Sequence, residues 1–247
     1  MRRIFIADLL KKNITITGAD AHHLSRVMRS KIGDHIVVAD DEGKVGEYAI
    51  TGFTGDSIDL ELIACIAENT ESPVDIMLAQ CLPKGDKLEL ITQKATELGI
   101  NTIVPLVSDN CVVRYDGKKM KAKQDKWQKI ANEAGKQCGR SCLPVVEAIT
   151  PLKDWLQDIV SQNTAVCMCY ENEEQIGIKE FLRQVTGAEI AVVIGPEGGF
   201  SLAEIEFAKS LGITSVSLGN RILRAETAAI AAMAIIQYEK GDLGGRQ

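Results

Sequence analysis

The chain has 247 residues, of which 45% are hydrophobic, 25% charged and 4% aromatic, and its net charge is −6. That length accommodates one large domain or two modest ones with a substantial core, and the balance excludes disordered, collagen-like and fibrous classes. So few aromatic residues also argue against a protein built mainly on base-stacking platforms.

Residues 1–70 read as mostly strand. Arg3–Ile6, Asn13–Ile16, His35–Ala39, Val45–Phe53 and Ser57–Ile66 are Ile- and Val-rich runs separated by turn compositions such as Asp41-Glu42-Gly43 and Thr54-Gly55-Asp56. One helix interrupts them, from about Ala21 to Arg29, with Asp20 as its N-cap. Short strands at this spacing predict a small closed barrel. The rhythm changes near Glu68–Pro73, and residues 73–247 form a second domain in which strands alternate with helices. Val74–Leu82 is a strand, and Asp86-Lys87-Leu88-Glu89 opens a helix with a capping-box pattern that stops at Gly99. Thr102–Val107 is the next strand. Trp127, Ile130, Ala131, Ala134 and Cys138 form the apolar stripe of a long basic helix. Thr150-Pro151 starts another helix, with Pro at its first position. Strand Ala165–Cys169, helix Glu173–Val185 and strand Glu189–Ile194 follow. A second capping box, Ser201-Leu202-Ala203-Glu204, opens a helix ending at Gly212, before strand Thr214–Leu218 and a final helix over Ala225–Tyr238. This alternation predicts an α/β fold with a parallel sheet covered on both faces.

The longest stretches without a charged residue or His, Ile159–Tyr170 and Thr227–Tyr238, are well short of the roughly 20 apolar residues that span a bilayer. Asp8, Lys11 and Lys12 interrupt any signal-peptide core, so a cytoplasmic protein without membrane association is expected. Seven cysteines, an odd number without zinc spacing, read as small buried hydrophobes, and no metal site is expected. Charge is uneven along the chain. Residues 1–31 carry seven Lys/Arg against two acids, and residues 114–140 carry nine against three. Two basic zones on an acidic chain outline a footprint for a polyanion, although solvated faces would look the same.

In open parallel sheets, ligands bind beyond the carboxyl ends of the strands. Three loops fall there: Tyr170-Glu171-Asn172, Gly195-Pro196-Glu197-Gly198-Gly199-Phe200 and Gly219-Asn220-Arg221-Ile222-Leu223-Arg224. The second is neither a GxGxxG turn nor a P-loop, but its glycines allow a flat ligand to approach the backbone closely. Arg224 lies at the sheet's ligand edge, ahead of a helix rich in alanine. No His follows residue 35, so a histidine base in the α/β part is excluded unless the N-terminal domain supplies it.

Gly195-Pro196-Glu197-Gly198-Gly199-Phe200-Ser201 and Leu218-Gly219-Asn220-Arg221-Ile222-Leu223-Arg224-Ala225-Glu226-Thr227-Ala228 resemble motifs of a bacterial family in the SPOUT superfamily. This is the 16S ribosomal RNA (uracil-1498-N3)-methyltransferase family. Also similar are His22-His23-Leu24-Ser25-Arg26-Val27-Met28-Arg29, Lys84-Gly85-Asp86-Lys87, Gln93–Gly99, Trp127–Ile130 and Gln137-Cys138-Gly139-Arg140. The resemblance implies a PUA-like β-barrel that binds RNA, followed by a SPOUT-type α/β domain with a C-terminal trefoil knot. It implies a homodimer that uses S-adenosylmethionine to methylate N3 of a uridine in 16S rRNA of the small ribosomal subunit. Cofactor contacts are then expected at Tyr170, Glu171, Ile194, Gly195, Pro196, Glu197, Gly198, Gly199, Leu218, Gly219, Ile222, Leu223, Thr227 and Ala228. RNA contacts are expected at Arg3, His23, Arg26, Arg29, Lys84, Lys87 and Arg140. Neutral uracil carries a proton on N3, which must leave as the methyl arrives. Arg224 is expected to stabilise the uracilate oxygens, with Glu97 and Glu226 as candidate bases. Two other readings stay open: a SPOUT enzyme acting on transfer RNA or a 2′-hydroxyl, and a non-catalytic RNA-binding assembly protein.

Overall fold

A computed structural model describes residues 3–67, 70–162 and 164–245. The chain divides into two compact units, one formed by the residues up to Glu71 together with Gly135–Cys142, the other by Ser72–Ala134 and the residues from Leu143 onward.

In the first unit, strands β1 (Arg3–Phe5), β2 (Asn13–Ile16), β3 (His35–Ala39), β4 (Val45–Thr54) and β5 (Ser57–Ile66) form a sheet in the order β1-β3-β4-β5-β2. β1 runs parallel to β3, and the other pairs are antiparallel. Alternating residues of β3, β4 and β5 supply the core: Ile36 and Val38, Tyr48 and Ile50, Ile58 and Leu60 are all buried. Helix α1 (Gly18–His22) continues into a π-helical turn, His23–Val27. The expected cap at Asp20 is displaced. Thr17 holds the N-cap position without a side-chain bond, and Asp20 sits in the first turn with its carboxylate 2.9 Å from Lys136 Nζ.

The grouping of Gly135–Cys142 with this unit departs from the expected division at residues 70 and 73, and it overturns one expected RNA contact. Arg140 is only 4% exposed. Its Nε and Nη2 donate to Glu71 Oε2, while Glu71 Oε1 accepts from the Ser141 and Cys142 N–H groups. A guanidinium enclosed on a carboxylate is not available to a phosphate. Arg3 is likewise turned inward and donates to the Gly139 carbonyl.

The second unit begins with β6 (Asp75–Cys81), α2 (Lys87–Glu97), β7 (Thr102–Val107) and α3 (Gly117–Cys138), whose last turn belongs to the first unit. β8 (Val145–Val146), β9 (Thr150–Pro151), α4 (Leu152–Val160), β10 (Ala165–Cys169), α5 (Ile178–Gln184), β11 (Glu189–Ile194), α6 (Leu202–Ser210), β12 (Thr214–Val216) and α7 (Ala225–Lys240) complete it. Its sheet is entirely parallel, in the order β12-β10-β11-β6-β7-β8, with β9 paired to β7. Near-continuous apolar strands make this possible: Ile190 to Val193 and Ile76, Leu78 and Ala79 are completely buried. α7 packs on α2 and α5, and α4 on α6.

Several boundaries move for identifiable reasons. The capping box of α6 forms as expected, with Ser201 Oγ accepting from the Glu204 N–H and Glu204 from the Ser201 N–H. The one at Asp86 does not, because Glu89 instead pairs with Lys126. Pro151 ends β9 and caps α4 rather than occupying its first helical position. The helix expected from Glu173 starts only at Ile178. Glu173 Oε1 accepts from the N–H groups of Gln175 and Ile176, a local bond that competes with helix formation. Cys81, Cys111 and Cys167 are buried as expected, but Cys65 and Cys138 are exposed.

Candidate functional site

The carboxyl ends of β10, β11 and β12 lie side by side because the sheet order places β10 between the other two. The segments leaving these strands enclose a cavity of about 840 Å³, within the roughly 300–1,000 Å³ common for small-molecule sites. Cys169, Tyr170, Glu171, Glu173 and Glu174 form one wall. Ile194 to Gly199 form the second, and Ser217 to Ala225 with Ala228 the third. The structure thus brings together, in one cavity, every residue expected at the cofactor except Thr227, which contributes nothing to the lining. Sequence reasoning missed Glu173 and Glu174, which it placed on a helix.

The second wall is backbone held at close range. Gly199 sits in the left-handed region at φ +64°, and a Cβ there would run into the Glu171 carboxylate. A Cβ on Gly195 would stand 3.2 Å from the Phe200 ring, and one on Gly198 would stand 3.1 Å from Asn110 Cβ. Two side chains outside the predicted set fix this loop. Asn110 Nδ2 donates to the Gly198 and Gly199 carbonyls at 3.1 and 3.2 Å. Gln80 Nε2, fully buried, reaches the Ile194 and Gly195 carbonyls at 3.4 Å. Gln80 is the one amide in β6, a strand apolar from Ile76 to Ala79, and that was its available signal. Asn110 follows β7 at the same end of the sheet.

Lys87 and Glu197 join the loops from behind. Lys87 Nζ lies 2.6 Å from Glu197 Oε1 and 3.4 Å from Glu226 Oε2. The Lys84 N–H donates to both Glu197 oxygens. The hydrogen bond to Glu197 raises the Lys87 ammonium above its ordinary value, against the smaller effect of desolvation. Burial pushes the Glu197 carboxyl up, but the Lys87 hydrogen bond and the backbone N–H groups outweigh it and hold the group below its usual range. Lys87 is therefore a bridge between the second wall and the first turn of α7, not a free cation awaiting RNA. The Lys84 side chain is exposed.

The expected bases fare differently. Glu97 is exposed and paired with Lys94 at 2.8 Å. It stands ten positions along α2 from Lys87, about 15 Å of rise, so it lies outside the site. Glu226 touches the Lys87 ammonium but does not line the cavity. Arg221 and Arg224 do line it, are exposed, and have no ion-pair or hydrogen-bond partner for their guanidinium groups among the described residues. Arg224 holds the N-cap position of α7, and its carbonyl accepts from the Ala228 N–H. The cavity therefore offers carboxylates to a cationic ligand and two free guanidinium groups to an anionic one.

In the first unit, Arg26 and Arg29 are exposed and His23 is partly buried. Among the described residues, no group of three or more His, Cys, Asp or Glu side chains forms a metal cluster, and no helix is long and apolar enough to cross a membrane.

Comparisons with known proteins match both parts of the chain. An RNA methyltransferase domain family matches residues 70–237, and an RNA methyltransferase PUA domain family matches residues 16–63. The chain is 36% identical to a ribosomal RNA small subunit methyltransferase E of Bacillus subtilis (strain 168), over the full length of both proteins. A protein of the same name from Synechocystis is 32% identical over 92% of this chain and 74% of its own. The crystal structure of a Neisseria gonorrhoeae ribosomal RNA small subunit methyltransferase E bound to S-adenosyl methionine superposes with a TM-score of 0.88. It shares 28% identity, over 98% of this chain and 99% of that one. This chain belongs to the ribosomal RNA small subunit methyltransferase E family.

Proposed function

We propose that this protein transfers a methyl group from S-adenosylmethionine to N3 of uridine 1498 in 16S rRNA of the small ribosomal subunit, in the cytoplasm and as a homodimer. The observation that carries the reading is the three-walled cavity, set in a chain that two RNA methyltransferase families together span from residue 16 to residue 237.

The residues present fit the cofactor. The volume is sufficient, Gly195, Gly198 and Gly199 present backbone to it, and a Cβ on Gly199 would meet Glu171 at the cavity wall. Glu171, Glu173 and Glu174 line the same cavity, a favourable surrounding for a ligand carrying ammonium and sulfonium charge. When bound, S-adenosylmethionine supplies an electrophilic methyl group. Tyr170, Glu171, the Ile194–Gly199 loop and the Leu218–Leu223 loop would hold it.

The remaining chemistry belongs to the chain. A uracil that has lost its N3 proton spreads negative charge over its two carbonyl oxygens. Arg224, unpaired and fixed at the start of α7, is the cation placed to stabilise that charge. Glu226 stands next to the Lys87 ammonium and outside the cavity lining, so in this reading the N3 proton passes to water in the open cavity as the methyl arrives. A base paired inside a duplex does not offer N3, so the target uridine is unpaired or flipped. The homodimer is supported by α7. Thr227, Ala231, Ala234 and Tyr238 recur every three or four residues on one face, with Thr227 and Tyr238 exposed and both alanines half-buried.

Incubating the purified protein with labelled S-adenosylmethionine and small-subunit rRNA, then mapping the product by mass, tests the reading. One base-methylated uridine is expected. Methylation of a ribose or of transfer RNA, or none at all, would reject it.

A further inference from the structure

We infer that the exposed turn Arg26–Ile32 receives an unstacked RNA base on its apolar side chains, while its cations hold the adjoining phosphates. The inference rests on the ribosomal RNA reading above and adds to it the feature of the RNA that the first unit grips.

Three observations converge on this turn. Val27, Met28 and Ile32 are 63%, 49% and 67% exposed. A lone exposed aliphatic residue needs no explanation, but three within one short turn form a patch. Arg26, Arg29 and Lys31 flank them, all exposed. Their side chains have no hydrogen-bond or ion-pair partner among the described residues. Asp34, the nearest acid along the chain, is held by the Lys31 backbone N–H.

The backbone supplies the third observation. The π-helical turn His23–Val27 closes with Met28 N–H on the His23 carbonyl and Ser30 N–H on the Leu24 carbonyl. Arg29 then stands in the left-handed region at φ +54°, the only residue other than glycine with positive φ among those described. Glycine is the usual occupant of such a helix-ending position, because a Cβ there is strained. Arg29 is held in that conformation with no contact inside the fold to justify its side chain. A strained residue of this kind is commonly retained for a ligand.

The chemistry selects the partner. Unpaired cations call for a polyanion, and the apolar trio calls for something flatter and drier than phosphate. Single-stranded RNA provides both, since its bases splay from the backbone and lie against apolar side chains.

Titrating the full-length protein with deproteinised small-subunit rRNA over a range of salt concentrations tests this. The Val27→Ser, Met28→Ser, Ile32→Ser triple variant should bind about tenfold more weakly at every salt concentration, with an unchanged salt slope. Arg29→Gly should flatten the slope by about 0.7, as one phosphate contact is lost. It should also raise Tm by roughly 2–4 °C as the backbone strain is relieved. Affinity for S-adenosylmethionine should stay at the parent value in both. Parent-like RNA binding by the triple variant would overturn the proposal. So would a change in its oligomeric mass in place of RNA affinity, or Arg29→Gly leaving both Tm and slope unmoved. If the parent transfers no methyl group to this RNA while the binding pattern holds, the enzymatic reading fails and the base-binding turn stands.

Discussion

The two basic stretches, residues 1–31 and 114–140, look alike as charge counts and differ in what their cations touch. In the first, Lys12 pairs with Glu61 and Arg3 donates to the Gly139 carbonyl, but Arg26 and Arg29 are exposed and unpartnered among the described residues. In the second, Lys119, Lys121 and Lys126 pair with Asp116, Asp125 and Glu89, Lys136 with Asp20, and Arg140 is enclosed with Glu71. Lys123 lies 5.8 Å over the Tyr115 ring. Net charge therefore says little about binding. A cation whose field is already taken up by a carboxylate adds little attraction for a phosphate. The same contrast recurs at the cavity, where Arg221 and Arg224 have no partner among the described residues and Lys87 is shared by two carboxylates. Paired cations should act on the fold, and unpaired ones on ligands.

The largest effects should come from breaking the rule at its extremes. Arg140→Ala leaves Glu71 without its buried partner and should cost about 3–5 kcal/mol in chemical denaturation. Its RNA affinity, measured where the variant is still folded, should match the parent. Arg224→Ala should do the opposite. Methyl transfer should fall by roughly 10²–10³-fold, with the denaturation midpoint, RNA binding and S-adenosylmethionine affinity unchanged. Lys87→Met probes the intermediate case, a paired cation beside the cavity. Its kcat should fall by about tenfold, with Lys87→Arg restoring most of it, because a guanidinium also bridges two carboxylates. A Lys87→Met variant that loses RNA affinity instead would return this residue to the RNA surface. The smallest effect should be that of Lys119→Ala and Lys121→Ala together. Exposed pairs of this kind are worth less than about 1 kcal/mol, and RNA affinity should move less than threefold. A larger loss would show that pairing does not silence these cations.

The longer strands of both units were legible because apolar runs of Val and Ile bounded by glycine-containing turns have few other solutions, whereas the two-residue strands β8 and β9 are too short to leave a pattern. The site was legible where backbone chemistry carries it. Pro196, Gly198 and Gly199 mark a loop that no ordinary strand-to-helix turn requires. What escaped depended on contacts distant in sequence. Arg140 looks like any other cation until Glu71, 69 residues away, is seen on it. Lys87 and Glu226 are far apart in the chain and meet across two loops. Glu97 reads as part of a promising motif, but its helix runs away from the cavity. Glu173 and Glu174 were assigned to a helix because their composition suits one, but the Glu173 N–H donates to the Tyr170 carbonyl and its carboxylate accepts from the N–H groups that follow, which holds a turn in place of a helix. The knot rests on resemblance alone, since neither periodicity nor composition encodes threading.

The central claim is that the three strand-end loops bind the cofactor, and calorimetry with paired glycine variants tests it most directly. Gly199 and Gly55 have nearly the same left-handed backbone, φ +64° and +61°. A Cβ meets Glu171 at the cavity wall in the first case and nothing within 4 Å in the second. Gly199→Ala and Gly55→Ala thus carry similar strain, of about 1–2 kcal/mol, and differ in whether a methyl group enters the cavity. The account predicts that the parent and Gly55→Ala bind S-adenosylmethionine equally, and that Gly199→Ala binds at least tenfold more weakly. Equal affinity in all three proteins would contradict it.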